Sequence, residues 1–283
     1  MSRNKSRLGK DQGAKSSDPV ATPSFGSDGP LIFETPSEFV DLPSKGRYYA
    51  EGHPLHNQDC VEIKHMTAKE EDILSSRALL KKGVAIDRFL QSIIKDKDIS
   101  VNDLLVGDKN AILIAARISG YGEDYTTQVT CPGCITSNKF TFDLSDREIV
   151  TGEDASSYGV TETDRGTFIT NLPTLGVDIE LRLLTGKQES FLTRLSQTKS
   201  NNSVDTSLTD LLRMIIISVA DRTDSATIES LVDHLPARDS RHIREVYGKI
   251  SPNIDLKQKF ECSSCSYADV MEVPLNAEFF WPK

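Results

Sequence analysis

The chain has 283 residues, of which 37% are hydrophobic, and a net charge of −9. That length suits one large domain or two small ones, and no apolar run approaches the ~20 residues of a bilayer-spanning helix. The N-terminal segment 1–30 holds Arg3, Lys5, Arg7, Lys10 and Lys15 against Asp11, Asp18 and Asp28, so the remainder is more acidic than the chain as a whole. Such a body repels a phosphate backbone, and nucleic-acid binding is not expected of it.

Residues 1–30 are rich in Ser, Gly, Lys and Asp and lack apolar periodicity. They read as a disordered tail. No apolar stretch follows MSRNKSRLGK, so no secretory leader is expected.

From Leu31 the chain repeats itself. One copy opens with LPSKG (Leu42–Gly46) and the other with LPTLG (Leu172–Gly176). A strand follows each, VEIKHM from Val61 and DIELRLL from Asp178, and runs straight into a helix start at Thr67 or Thr185. Glu70 and Gln188 stand three residues beyond those threonines, which predicts a capping box at both helices. An apolar stripe at helical spacing follows in each copy: Ile86, Phe89, Leu90, Ile93 and Ile94, then Leu208, Leu211, Leu212, Ile215, Ile216 and Val219, with Ser207 as a cap. The run MIIISVA from Met214 reads as buried helix at most. The interval from Asp108 to Cys131 equals that from Asp239 to Cys262.

The fold class this predicts is α+β, built of two duplicated modules. Each module has a β-hairpin or strand, then helices, then a C-x-x-C β-hairpin. The first module spans 31–150, a polar linker 151–166, and the second module 167–283. An insertion near SNNSVDTS lengthens the second copy, and a longer loop, RYYAEGHPLHNQD, marks the first.

Each C-x-x-C sits in the turn of a hairpin: TTQVTCPGCITSNKFTFDL and LKQKFECSSCSYADVMEVPL. Four thiolates at about 2.3 Å from one ion make a closed structural zinc site with no position for a catalytic water. Cys131, Cys134, Cys262 and Cys265 are therefore the candidate ligands of one shared zinc, although Cys134 and Cys262 lie much farther apart in the chain than the knuckles of an ordinary zinc ribbon. A zinc-ribbon-like pairing of the two knuckles at the module junction would close that gap. Iron fits the same ligand set. A redox pair of C-x-x-C units is the rival reading, but neither unit opens a helix as redox motifs do. Two reduced hairpins without metal are a third. Cys60 has no partner in sequence and reads as a buried thiol.

No nucleophile elbow, phosphate-binding Gly loop, dinucleotide fingerprint or H-E-x-x-H occurs. No enzyme activity, catalytic residue or small-molecule substrate is expected. His53 and His56 lie in a turn-rich loop that reads as surface. The C-terminal Phe279, Phe280 and Trp281 are expected to fold back on the core.

The string LPSKGRYYAEGHPL, followed by VEIKHMTAKEEDILSSRALLKKGVAIDRFLQSII, resembles the T-even-type bacteriophage baseplate proteins, the hub subunit and hub-assembly proteins of contractile tails. The resemblance runs through roughly residues 38–145 and continues more loosely through the second copy. It implies a structural or assembly protein of the baseplate's central hub, made in the host cytoplasm and carried into the virion. Other phage tail and baseplate proteins are the implied partners, with no membrane. The alternatives are a transient assembly chaperone absent from the virion and a zinc-ribbon nucleic-acid module. Tyr48, Tyr49, His53, Pro54 and Leu55, in the loop unique to the first copy, are the candidate partner contacts.

Overall fold

A computed structural model describes residues 33–152, 155–199, 206–273 and 277–280. The tail 1–30, residues 200–205 of the SNNSVDTS segment and Trp281 therefore lie outside the described residues. Internal contacts divide the chain into Met1–Pro36 and Ser37–Lys283. Residues 33–36 of the first unit carry no helix or strand.

The second unit is α+β with several small antiparallel sheets. It opens with β1 (Ser37–Asp41) and β2 (Cys60–Lys64), paired so that Val40 faces Val61. Helices α1 (Ala68–Ser75), α2 (Arg77–Lys81), α3 (Ala85–Ile93) and α4 (Val106–Tyr121) follow. The hairpin β3 (Asp124–Thr130) and β4 (Ser137–Asp143) carries the first C-x-x-C turn. Next come β5 (Glu148–Val150), a 3-10 turn at Ala155–Tyr158, β6 (Thr161–Glu162), β7 (Thr167–Asn171) and β8 (Asp178–Arg182). Then α5 (Gly186–Lys199), α6 (Ser207–Ile215), β9 (Ile216–Val219), α7 (Ser225–Asp233) and α8 (Ala237–Ile250). Strand β10 (Asn253–Asp255) returns to pair with β5, β11 (Lys257–Glu261) and β12 (Ala268–Glu272) form the second C-x-x-C hairpin, and a 3-10 turn covers Ala277–Phe280. The largest sheet has the order β6-β7-β8-β9.

The α3 stripe behaves as its spacing predicts: Phe89, Leu90, Ile93 and Ile94 are all buried. Its counterpart does not. Helix α6 stops at Ile215, and Ile216–Val219 is a strand beside β8. The run of β-branched residues there suits a pleated surface, and a short apolar run has no periodicity to tell helix from strand. Thr206, not Ser207, takes the cap position of α6.

The two LPxxG turns are fastened in the same way. Asp108, in the first turn of α4, accepts from the Ser44 N–H at 3.0 Å and the Ser44 hydroxyl at 2.6 Å. Asp239, in the first turn of α8, accepts from the Thr174 and Leu175 N–H groups at 2.8 and 3.1 Å. Both carboxylates are fully buried. An acid at a helix N-terminus suits the positive end of the helix dipole, and each acid here also orients a turn far from it in sequence. Burial pushes the Asp108 carboxyl up, against the pull of Ser44 and Tyr49.

The strand-to-helix junctions close as their sequences predict. The Thr67 N–H donates to Glu70 Oε2 at 3.1 Å in a capping box, and the Thr185 N–H donates to Gln188 Oε1 at 2.7 Å. Glu70 is more than a cap, because it is buried and ion-paired with Lys64 Nζ at 2.7 Å. Burial works against its charge, but Lys64 and Thr67 outweigh it and hold the carboxyl at about 2. A depressed carboxylate stabilises the fold above its unfolded-state pKa of about 4.3 and stops doing so as pH falls through its folded value. Urea unfolding should therefore lose roughly 2 kcal/mol between pH about 4.5 and about 2, after allowance for the partly exposed lysine. In Glu70→Gln that portion of the pH dependence should vanish.

The two halves of the second unit meet at the start of α4. The Gly186 N–H donates to Leu104 O at 2.8 Å, Lys187 N–H to Asn102 O at 2.9 Å, and Val106 N–H to Leu184 O at 3.0 Å. Buried Lys109 of α4 pairs with Asp87 of α3 at 2.9 Å and Glu189 of α5 at 3.0 Å. Phe279 and Phe280 are buried, as expected of the C-terminal aromatics.

Candidate metal centre

The hairpins β3–β4 and β11–β12 pack against each other through their inward residues. The rings of Phe140 and Phe260 meet edge-on at 5.4 Å. Gln258 accepts the Asp143 N–H at 3.0 Å and donates to the Asp143 carbonyl. That packing brings the two C-x-x-C turns together, and the turns are built alike. In the first, the Cys131 N–H donates to Thr136 O at 3.0 Å and the Ile135 N–H donates back to Cys131 O at 2.9 Å. In the second, Cys262 and Tyr267, then Ser266 and Cys262, make the equivalent bonds at 2.8 and 3.2 Å.

The sulfurs of Cys131, Cys134, Cys262 and Cys265 all lie within 4.8 Å of one another. Cys131 and Cys265 are 3.7 Å apart, as are Cys134 and Cys262. A tetrahedron with metal–sulfur bonds of ~2.3 Å has edges of about 3.8 Å, so the four donors fit one tetrahedral ion. All four are free thiols rather than disulfides. Cys131 and Cys262 are buried, Cys134 is half-buried and Cys265 is exposed.

The surroundings favour ionised sulfur at some positions and resist it at others. The backbone N–H of Ser264, 3.4 Å from the sulfur, leads in lowering the Cys262 thiol to about 6. Hydrogen bonding from Thr136 leads in lowering Cys134. The Tyr267 N–H pulls Cys265 down, but the neighbouring sulfurs together push it up to about 12. Four thiolates this close repel, and a bound divalent cation is what reverses that repulsion. The outer contacts also cross between knuckles. The Asn138 side-chain amide donates to Cys262 Sγ at 3.5 Å, and the Ser263 hydroxyl donates to Asn138 Oδ1 at 2.7 Å.

Each turn places a residue with a side chain in the left-handed region just after its second cysteine: Ile135 at φ 60° and Ser266 at φ 55°. That conformation strains a β-branched residue. Ile135 is also 81% exposed, so its side chain gains little packing in return. Ile135→Gly should raise the stability of the protein by about 1 kcal/mol in denaturant unfolding, with the metal content unchanged.

The loop residues proposed as partner contacts divide between core and surface. Tyr49 and Leu55 are buried, Tyr48 and His53 are half-buried, and Pro54 is exposed. The Tyr49 hydroxyl donates to Asp108 Oδ2 at 2.7 Å and accepts from the Leu105 N–H at 3.0 Å. His53 stacks on the Tyr49 ring at 4.5 Å, and His56 Nδ1 lies 2.6 Å from Tyr49 O. Tyr49 and Leu55 thus anchor the loop, and Pro54, His53 and Tyr48 form its outward part. Cys60 is half-buried in β2, outside the cysteine cluster.

The family model described as T4 bacteriophage base plate protein matches residues 37–281. The chain belongs to this baseplate family. The match begins at β1 and takes in both cysteine hairpins and the C-terminal 3-10 turn. No curated protein and no solved structure matches the chain. Among the described residues of this baseplate protein, no helix is long and apolar enough to cross a membrane.

Among the described residues of the baseplate protein, two buried cations carry no sequence signal. Lys109 is one. The other is Arg117, 1% exposed, whose guanidinium donates to the carbonyls of Phe279, Gly122 and Asp124 at 2.9, 3.0 and 3.2 Å. It fixes the C-terminal turn against α4. Burial lowers its pKa.

Proposed function

We propose that this baseplate protein is a non-enzymatic structural component of the central hub of a contractile tail, acting by binding other tail proteins. The observation that carries the reading is the family match over nearly the whole second unit. Four sulfurs at tetrahedral spacing support a single structural zinc that clamps the two knuckles. A closed thiolate shell leaves no open coordination position, so the ion's contribution is to hold the hairpins together. Cys131, Cys134, Cys262 and Cys265 are its ligands.

In this reading the chain has a tail (1–30), a module (31–150), a linker (151–166) and a second module (167–283), with the modules derived by duplication. The matching Asp108 and Asp239 anchors, the Thr67 and Thr185 helix starts and the like-built cysteine turns support that history. The outward part of the Tyr48–Leu55 loop is a contact surface for tail proteins. The protein is made in the host cytoplasm and ends in the virion.

Quantitative mass spectrometry of purified particles against infected-cell lysate tests the role. A few copies per particle are expected. Presence in lysate with absence from particles would instead make the protein a transient assembly factor.

A further inference from the structure

Helix α4 packs against both β1 and β10. Beside β1 it presents Ala111, Ala115 and Ile118 as the floor of a groove of about 140 Å³. These positions share one helix face, and two are small. One bank of the groove is β1. The other is the β5–β10 pair, through Arg147, Ile149 and Ile254.

The first bank is an open strand edge, because among the described residues β1 pairs with β2 alone. The ladder fixes which backbone groups are free. The Leu42 N–H donates to Asp59 O, extending the register in which Asp41 faces Cys60. Antiparallel alternation then turns the backbone of Val40 and Glu38 toward β2 and that of Asp41 and Phe39 outward. Among the described residues, no backbone hydrogen bond from another element reaches Phe39 or Asp41. The Phe39 side chain is 70% exposed. Glu38 shares the inward face of the strand with Val40, and its Oε1 is buried with no hydrogen-bond partner. A carboxylate oxygen held out of water beside an apolar floor calls for a donor.

We propose that this groove takes an extended segment of another baseplate protein, which adds to the open edge of β1 as a strand and brings a lysine or arginine to Glu38. The inference rests on the reading that the chain works by binding tail proteins. Strand addition supplies main-chain hydrogen bonds, and side-chain pockets supply choice. The outward N–H and C=O groups of Phe39 and Asp41 offer the first. The floor of Ala111 and Ala115 admits a short apolar side chain, and Glu38 selects a cation. A second copy is a poor occupant, because a second β1 strand, Ser37–Asp41, carries no lysine or arginine to answer Glu38.

The test is photo-crosslinking in infected cells with p-benzoylphenylalanine in place of Phe39 in the full chain, read by mass spectrometry in lysate and in purified particles. The expected adduct joins position 39 to one identified baseplate protein, in a segment containing lysine or arginine. Its yield should fall about tenfold or more in Ile149→Lys, which puts a positive charge on the far bank against the cation the segment carries. Asp41→Pro is the second variant, since it deletes an outward N–H and no rung of the β2 ladder. Both variants must melt as the wild type does, and if Ile149→Lys does not, Asp41→Pro alone decides. Adducts only to another copy of the chain, no adduct at all, or an adduct indifferent to the deciding variant would overturn the proposal. An adduct in lysate but not in particles would keep the docking strand and overturn hub membership. The chain in particles without the adduct would do the reverse.

Discussion

If the four cysteines hold one zinc, Cys262→Ser should lower the zinc content from one equivalent per chain toward zero and the melting temperature by roughly 10 °C. A hydroxyl is a poor ligand beside three sulfurs, so the ion loses its closed shell. The site is buried at Cys262, and the Asn138 amide that donates to its sulfur loses its best acceptor. The loss is bounded because the hairpins have other contacts. Phe140 still meets Phe260, and Gln258 still bridges to Asp143. The protein should therefore stay folded at room temperature, with cooperative unfolding at a lower midpoint. Cys60→Ser, outside the cluster, should leave the zinc content unchanged. Full zinc retention in Cys262→Ser, by elemental analysis after gel filtration, would remove that residue from the ligand set.

Gly107→Ala should be at least as damaging, for a reason unrelated to metal. Gly107 lies in the first turn of α4, where the helix touches the chain just before β10. A Cβ there would fall 2.0 Å from the Pro252 carbonyl oxygen and 2.7 Å from its carbon. Backbone cannot swing aside as a side chain can, so α4 and β10 must separate. Alanine is the better helix former by about 1 kcal/mol, but the overlap outweighs that gain, and a net loss of about 3–5 kcal/mol or failure to accumulate is expected. Gly120→Ala is the control. Its Cβ would meet only the side chain of Met66, with the terminal methyl nearest at 2.4 Å. A flexible methionine can move, so Gly120→Ala should lie within about 1 kcal/mol of wild type. Urea midpoints of the two variants separate backbone overlap from a general intolerance of α4 to substitution.

Local chemistry was readable in the sequence. The helix starts at Thr67 and Thr185, the α3 stripe and the two cysteine hairpins each rest on residues within a few positions of one another. Asp108 and Asp239 showed in the sequence only as equal distances to the cysteines. Their role as anchors of the LPxxG turns depends on contacts across 64 and 65 positions. Lys109 and Arg117 look like ordinary helix surface, but most of α4 is buried, and no pattern in the string marks that. Glu70 reads in the sequence as a helix cap, whereas its burial and its pairing with Lys64 do not show there. The error at Ile216–Val219 is of another kind. An apolar run that short carries no periodicity, and only the open edge of β8 decides for a strand. Tyr49 and Leu55 look like loop contacts because the loop is unique to the first copy, whereas both side chains are part of the hydrophobic core.

The most direct measurement is the metal content of the purified wild-type protein under reducing conditions, by elemental analysis together with thiol titration before and after chelation. One zinc per chain is predicted, with Cys60 the fast-reacting thiol and the other four reacting after the ion is removed. A metal-free protein whose five cysteines all titrate at once in the folded state would contradict the shared clamp.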